Sequence, residues 1–560
     1  MLTARVDRLS AKDRALLQAA SAIGRQFNPQ LLAAVSGATD IDTRLAAMQS
    51  LDLIHPEDKS SDYVFKHALV RDALYHSLLT EPREALHASI AAEIERRSGN
   101  RLIEVAEVLA HHYGQTRLSD KAFAFHCAAG NKSLGVYSLE EAMTHFGAAL
   151  TLLESSQRCA SDEQVADFLA AFALLLNLRI QLPTMIDVIA RYLPRVGRLG
   201  DDPRVVLIYN HYVYALFWGA RYKDAAAEVR AALHMAERLG DETSIAYMLA
   251  NDILVSIVVD PKPAHQFECL KAQAIEMTSR TTDPYLQAWT RYAIGWNEMH
   301  RGRMNHARAM ARELLEAGAR MNDPRSIGFG LWILAWVSLL ADSYSEALDY
   351  SEQALTVAVA PVDRTVAIGA KGCALVLLRR VEEGRKLIEE WHRRCLGDGN
   401  FCAATFARGF DGLSKVLQGR LAEGILCIEE SISALDREGY KTAADWGRMH
   451  LSEVYLEVIV GSERPPVKVI LRNLPTLLKI AITGSRRIES LVASVLQNPV
   501  LDPMGHLVAR AHMILGLLYK AKRKRPLAIQ HLTKAREITS QFGATPMLAR
   551  IDSAVAELTK

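Results

Sequence analysis

A recurrence of small residues near every fortieth position constrains this chain more than any other feature. Six segments share one pattern: SLEEAMTHFGAAL (138–150), RYKDAAAEVRAAL (221–233), RMNHARAMARELL (303–315), SYSEALDYSEQAL (343–355), RLAEGILCIEESI (420–432) and RPLAIQHLTKARE (525–537). Each opens on a short polar turn and places a small residue early in a helix: Ala142, Ala225, Ala307, Ala347, Gly424 and Ala528. Residues at i+4 and i+7 from each share its helix face. The separations are 83, 82, 40, 77 and 104, and Gly384 in VEEGRKLIEEW divides the 77 into 37 and 40. A period near 40 with helical content predicts a solenoid, in which each unit buries its apolar face against its neighbours. Twelve residues before Ala142, Ala307, Gly384, Gly424 and Ala528 stand Gly130, Gly295, Gly372, Gly412 and Gly516. A glycine there lets a preceding helix approach closely, so the unit reads as a helical hairpin.

The pattern resembles the tetratricopeptide repeat. HMILGLLYKAKRKRPLAIQHLTKA (512–535) is its fullest instance, with Leu515, Gly516, Tyr519, Ala528, Leu532 and Ala535 at the small and bulky signature positions. Prolines in DPKPAHQFE (260–268) and GSERPPVKV (461–469) predict degenerate repeats or longer connections there. The first hundred residues do not follow the period. Ser10 and Asp13 form an N-cap arrangement for a first helix that Gly24 ends, Asn28 and Pro29 start a second, and Asp42 to Ser50 suits a third. LDLIHPEDKSSDYVF then offers two short β-type runs around a polar turn, and VFKHALVRDALYHSLL (64–79) reads as an amphipathic helix with His67, Val70, Leu74 and Leu78 on one side. Three helices followed by a hairpin resemble a winged helix, and Pro82 to Arg97 adds a linking helix. The expected fold is mainly α: a winged-helix-like domain with its linker helix at 1–98, then a tetratricopeptide-like α-solenoid at 99–560.

LTARVDRLSAKDRALLQAASAIGRQF together with YVFKHALVRDALYHSLLTEPREALHASIAAEIE resembles the region that follows the nucleotide-binding module in bacterial STAND-type signalling ATPases. It is most similar to those that begin with a class III adenylate or guanylate cyclase and end in tetratricopeptide repeats. The resemblance covers essentially the whole chain. It implies a regulatory module whose partner is an ATPase or cyclase domain and whose repeat surface binds a protein or small effector. It also implies that Phe65-Lys66-His67-Ala68 is the counterpart of a motif whose histidine touches bound ADP at a helix N-terminus, where free amides favour phosphate. Here alanine replaces the acid of that motif, and packing or capping by His67 is the alternative reading. No cyclase domain or P-loop is present: GNKS at 130–133 lacks the GxxxxGK[ST] spacing that surrounds phosphates. The chain therefore resembles the C-terminal half of such a protein, a fragment or a split partner, with a STAND-type transcription regulator as a further alternative.

Other features bear on function by exclusion. Lys and Arg total 66 against 64 Asp and Glu, which gives no overall field for nucleic acid or an anionic membrane. The cluster Lys520, Lys522, Arg523, Lys524 and Arg525 has no interleaved aromatics and reads as a solvated turn. Seven scattered cysteines without a CxxC pair indicate neither a zinc cage nor a disulfide framework, and fit a reducing cytoplasm. The longest apolar run, Phe329 to Ala341, is too short to span a bilayer, and no secretory signal opens the chain. Arg71 with Asp72 and Glu81 with Arg83 read as surface charges. His111 and His112 are adjacent and point about 100° apart, with no third ligand at helical spacing, so no metal is expected. Trp289, Trp296, Trp332 and Trp336 read as repeat core rather than a ligand box. No GxSxG or HExxH occurs, so no catalytic residue, enzyme activity or cofactor of the chain's own is expected.

Overall fold

The structure, a computed structural model, describes residues 9–57, 60–461, 466–542 and 545–559. The chain divides into two compact units, Met1–Leu175 and Leu176–Lys560. The 98/99 boundary expected from sequence lies inside the first.

The first unit opens with α1 (Ala11–Ile23), started by Ser10, whose hydroxyl oxygen accepts from the Asp13 amide at 3.1 Å. One of the orphan amides of the first turn is thereby satisfied. There follow β1 (Gln26–Phe27), α2 (Pro29–Ser36), α3 (Ile41–Ser50), β2 (Ile54–Pro56), β3 (Tyr63–Phe65), α4 (Ala68–His76) and α5 (Thr80–Ser98). Asn28 caps α2 by accepting from the Gln30 and Leu31 amides. The three strands form one antiparallel sheet in the order β1-β3-β2, with Gln26 opposite Val64 and Ile54 opposite Phe65. Leu17, Phe27, Leu32, Leu45, Phe65 and Val70 meet in a core beneath this sheet. Two sequence expectations are corrected. The helix of 64–79 begins only at Ala68, because Val64 and Phe65 pair within the sheet, and it stops at His76, so Leu78 lies beyond it. β1, too short to show alternation, was not foreseen. The unit continues with α6 (Ala106–Gly114), α7 (Ser119–Gly135) and α8 (Leu139–Ser155), and the division between units falls inside α9 (Asp162–Leu178).

The second unit contains α10 (Leu182–Val196) and then a series of hairpins. They are α11 (Pro203–Trp218) with α12 (Tyr222–Leu239), α13 (Glu242–Val255) with α14 (Ala264–Ser279), and α15 (Pro284–His300) with α16 (Met304–Met321). Next come α17 (Pro324–Leu340) with α18 (Tyr344–Val357), α19 (Pro361–Leu377) with α20 (Val381–Gly397), and α21 (Phe401–Leu417) with α22 (Leu421–Arg437). The last are α23 (Lys441–Val460) with α24 (Val467–Leu496), α25 (His506–Ala521) with α26 (Arg525–Thr539), and α27 (Thr545–Thr559). The arrangement is a tetratricopeptide-like α-solenoid. The interruption at 260–268 is a longer connection between α13 and α14; residues 462–465 of the second interruption lie outside the described residues.

The small residues sit where the two helices of a hairpin cross. Ala142, Ala225, Ala307, Ala347 and Ala528 are fully buried, as are Phe146, Ala232, Ala311, Leu532 and Ala535 at i+4 or i+7. A Cβ added at Gly412 would lie 2.7 Å from the Gly424 carbonyl, and one at Gly424 would lie 2.5 Å from the Gly412 carbonyl. The backbones of α21 and α22 are therefore in direct contact, which any side chain at either position would prevent. The turn between paired helices repeats as well: Ala220, Gly302, Asp342, Arg379, Gly419 and Arg523, each two residues before the second helix, share positive φ.

Two first helices, α15 and α17, are buried on most sides. In α17 every residue from Gly330 to Leu340 is buried, so the apolar run is an interior helix. Among the described residues no helix is long and apolar enough to cross a membrane. The superhelix of this unit is tight. The Gly302 carbonyl accepts from the His506 amide at 2.9 Å and Arg303 pairs with Asp502 at 2.6 Å, contacts between hairpins about 200 residues apart. Arg510, itself buried, bridges Asp342 at 2.9 Å and Glu453 at 2.7 Å. Winding of this kind encloses the inner face.

Candidate effector-binding cavity

On α15 the rings of Trp289, Tyr292, Trp296 and His300 recur at helical spacing along the inward face, and on α17 Phe329, Trp332 and Trp336 do the same. The rings interleave. Tyr292 stacks on Trp332 with centroids 5.3 Å apart and 19° between planes, and Trp296 stacks on Trp332 at 5.0 Å and 9°. Trp218 of α11 meets Trp296 at 5.7 Å, and Trp336 meets Trp391 of α20 at 6.1 Å. Offset and edge contacts of these dimensions are favourable beyond simple burial.

Two adjoining cavities open among these rings, with about 860 and 820 Å³ of empty space when the part open to solvent is included. Trp218, Trp332, Trp336, Trp391 and Ala403 border both. Trp296, His300, Phe406, Phe410, Trp446 and His450 complete the larger one, and Tyr214, Trp289, Tyr292, Phe329 and Asp363 are on the wall of the other. All seven tryptophans of the chain thus border one or the other. The four tryptophans expected as repeat core are buried, and they also form the cavity wall. Trp218, Trp391 and Trp446 were not singled out in the sequence. Their only signal is that every tryptophan falls between 218 and 446.

The larger cavity is apolar and uncharged. Its described lining includes no Asp, Glu, Lys or Arg. Burial pushes the His300 imidazole down to about 3 and His450 down to about 4, with Arg510 adding to the latter effect, so both rings are neutral at pH 7. The Tyr440 hydroxyl accepts from Trp296 Nε1 at 3.2 Å and lies 3.2 Å from His300 Nε2, to which it can donate. Ser431 Oγ donates to the Thr405 carbonyl at 2.8 Å. The indole N–H groups of Trp218, Trp289, Trp332, Trp336 and Trp446 are buried without an acceptor among the described residues. Buried donors in that state are uncommon, since buried polar groups are generally paired. The smaller cavity is more polar, with Asp363, Thr365 and Asn400 on its wall.

The other sequence candidates lie elsewhere. His67 is the N-cap of α4 with φ −126° and ψ 124°; it is half-buried and its side chain makes no bond to the helix amides. Arg71 pairs with Asp72 at 2.9 Å, whereas Arg83 lies over the Tyr75 ring. Lys132 of the GNKS string lies within α7 and pairs with Glu107 at 2.9 Å. In the basic cluster Lys520 pairs with Glu557 at 2.6 Å and Lys522 with Glu489 at 3.3 Å, so part of its charge is neutralised. His111 and His112, which have no third ligand at helical spacing, have one in three dimensions. His87 of α5 sits against both, and one ligand atom from each of the three lies within 4.8 Å of the others. His87 Nδ1 is 2.8 Å from His112 Nδ1, and its Nε2 is 2.9 Å from the Tyr75 hydroxyl. Burial holds His87 down to about 4 and His112 down to about 3, and the neighbouring imidazoles reinforce the effect.

No family model matches the chain, and no curated protein matches it in sequence. Among solved structures it is similar to a Signal Transduction ATPase with Numerous Domains (STAND) protein with a tetratricopeptide repeat sensor from Pyrococcus horikoshii, at 13% identity and a TM-score of 0.43. That alignment covers 78% of this chain and 66% of the other, just under two thirds of its length. A Rap protein complexed with Competence and Sporulation Factor is similar at 14% identity and TM-score 0.40, over 63% of this chain and 98% of that one. The anaphase-promoting-complex hetero-tetramer Cut9-Hcn1 is similar at 12% identity and TM-score 0.39, over 85% and 95%. Overlap at this level says nothing of ligand or activity.

Proposed function

We propose that this chain is a non-catalytic sensor and interaction module whose enclosed aromatic interior takes up an effector. The observation that carries this reading is the convergence of all seven tryptophans on two adjoining cavities. The uncharged, ring-lined wall of the larger cavity suits a flat or apolar molecule, or an apolar side chain of a partner protein, and unpaired indole donors suit oxygen acceptors on it. A solenoid transmits such binding, because small rotations per hairpin sum along the array. The wider setting is the regulatory half of a bacterial signalling ATPase or cyclase, in the cytoplasm. The helix-strand order and β1-β3-β2 sheet support reading 1–98 as a winged helix with its linker, and 99–560 as the repeat array. In that setting His67, at the N-terminus of α4 with its ring unbonded to the helix, would contact nucleotide supplied by an ATPase partner domain.

Ala403 borders both cavities and is only half-buried, so its methyl faces open space. Ala403→Phe would occupy that space without removing a core side chain. Titration of the full chain with an uncharged fluorescent naphthylamine dye, read by quenching of tryptophan emission, is expected to saturate. The variant is expected to weaken it at least about tenfold, the lower range for a steric mismatch in an apolar pocket. Saturable quenching of equal affinity in a variant with unchanged circular dichroism would overturn the cavity as the binding site.

A further inference from the structure

The geometry points to a second site, in the first unit: a zinc-type metal centre formed by His87 of α5 with His111 and His112 of α6. Three imidazoles are the protein ligand set of many open zinc sites, with a solvent or fourth ligand completing the tetrahedron. Zinc–nitrogen distances of about 2.0–2.1 Å at tetrahedral angles separate ligand nitrogens by roughly 3.3 Å. His87 Nδ1 and His112 Nδ1 are already 2.8 Å apart, and the three ligand atoms lie within 4.8 Å of one another. Drawing the widest of these separations to that spacing takes side-chain shifts of up to about 1.5 Å, within reach of rotation about the side-chain torsions. The hydrogen bond shared by the two Nδ1 atoms is exchanged for two metal bonds, the ring that held the shared proton on Nδ1 carrying one on Nε2 instead, so that both ligands stay neutral.

Two surrounding features support the assignment. The Tyr75 hydroxyl, 2.9 Å from His87 Nε2, accepts that ring's other N–H once Nδ1 is given to the metal. Such an outer partner fixes tautomer and ring orientation. The set also holds no carboxylate. A hard, oxygen-seeking cation such as Mg²⁺ or Ca²⁺ is therefore disfavoured, whereas an imidazole-preferring ion is not. Adjacency of His111 and His112 is no obstacle: His112 is buried against His87, and the exposed His111 ring meets His87 and His112 edge-on at 6.0 and 5.1 Å. Since α5 follows the sheet-bearing fold and α6 opens the repeats, an ion here would clamp that junction.

The test is calorimetric titration of the full chain with zinc chloride alone, repeated with magnesium chloride. One zinc per chain and no magnesium heat are expected. His111→Ala, at an exposed position that leaves the core intact, is expected to weaken zinc binding at least about tenfold. Cobalt(II) added to the wild type is expected to give a visible d–d band of tetrahedral nitrogen coordination that His87→Gln abolishes. An internal comparison is available in the second unit, where His512 Nδ1 and His531 Nδ1 are also 2.8 Å apart. Absence of stoichiometric zinc uptake would overturn the assignment. So would uptake that survives His111→Ala and is lost instead in His531→Ala.

Discussion

Replacing Gly412 by alanine tests whether close backbone approach holds each hairpin together. The added methyl would lie 2.7 Å from the Gly424 carbonyl, 2.8 Å from Ile428 Cγ1 and 2.9 Å from Cys427 Cβ. The first of these is backbone of the partner helix and has no rotamer to escape into. Restoring ordinary contact requires α22 to retreat by roughly 0.7 Å, and overpacking of that kind destabilises by about 1–3 kcal/mol. Alanine recovers about 0.8–1.0 kcal/mol of helix propensity over glycine. The net effect is a loss of up to about 2 kcal/mol. Gly328 of α17 provides the opposite case, because a Cβ there meets nothing within 4 Å. Gly328→Ala therefore keeps only the propensity term and is expected to stabilise. The two variants should move the urea midpoint of the full chain, followed by far-ultraviolet circular dichroism, in opposite directions. Gly424→Ala should resemble Gly412→Ala, and the double variant should lose less than the two losses added, because one separation of α21 from α22 relieves both clashes. A Gly412→Ala midpoint equal to or above wild type would refute the close-approach account.

Two further outcomes are expected. His300 and His506 are both held down to about 3 by burial. The unfolded chain takes up protons below about 6.5 that these folded imidazoles refuse, so their contribution is complete above that pH and shrinks as pH falls toward 3. The urea midpoint should decline from pH 7 to pH 5, and His506→Gln should flatten the decline; a slope unchanged in the variant would exclude His506 as a contributor. In a complex reconstituted with an ATPase domain of the STAND class, His67→Ala is expected to speed release of bound ADP, measured with a fluorescent analogue. An unchanged release rate would remove His67 from nucleotide contact.

The register of the repeats was legible because it is imposed at single positions. Wherever two helices cross at backbone distance only Gly or Ala fits, and the second helices begin at Leu139, Tyr222, Met304, Tyr344, Leu421 and Arg525, within a residue of the segments recognised in the sequence. The Ser10 and Asn28 caps were legible for the same reason, each being a local bond between a side chain and amides two or three residues on. What was not legible depends on rotation accumulated between hairpins. Trp218 and Trp446 are 228 residues apart and border the same cavity, and no segment between them encodes their proximity. His87 lies 24 residues before His111 on another helix, so inspection of i+3 and i+4 spacings passes over it.

The same fact gives the cavity its mechanical character. Its walls come from α11, α15, α17, α20, α21, α22 and α23, and their spacing is fixed by the curvature of the array rather than by any one hairpin. Arg510, bound to Asp342 and Glu453, and Arg303, bound to Asp502, tie distant hairpins at one particular winding. Removing a partner from a buried pair leaves an uncompensated charge, so these ties resist a change of winding strongly. On the proposed reading, a molecule that fits between Trp218 and Trp446 would shift the winding only by as much as its affinity differs between windings, and that difference would have to outweigh these ties. Sensing as proposed would need no moving lid, only a ligand whose size matches one curvature better than another.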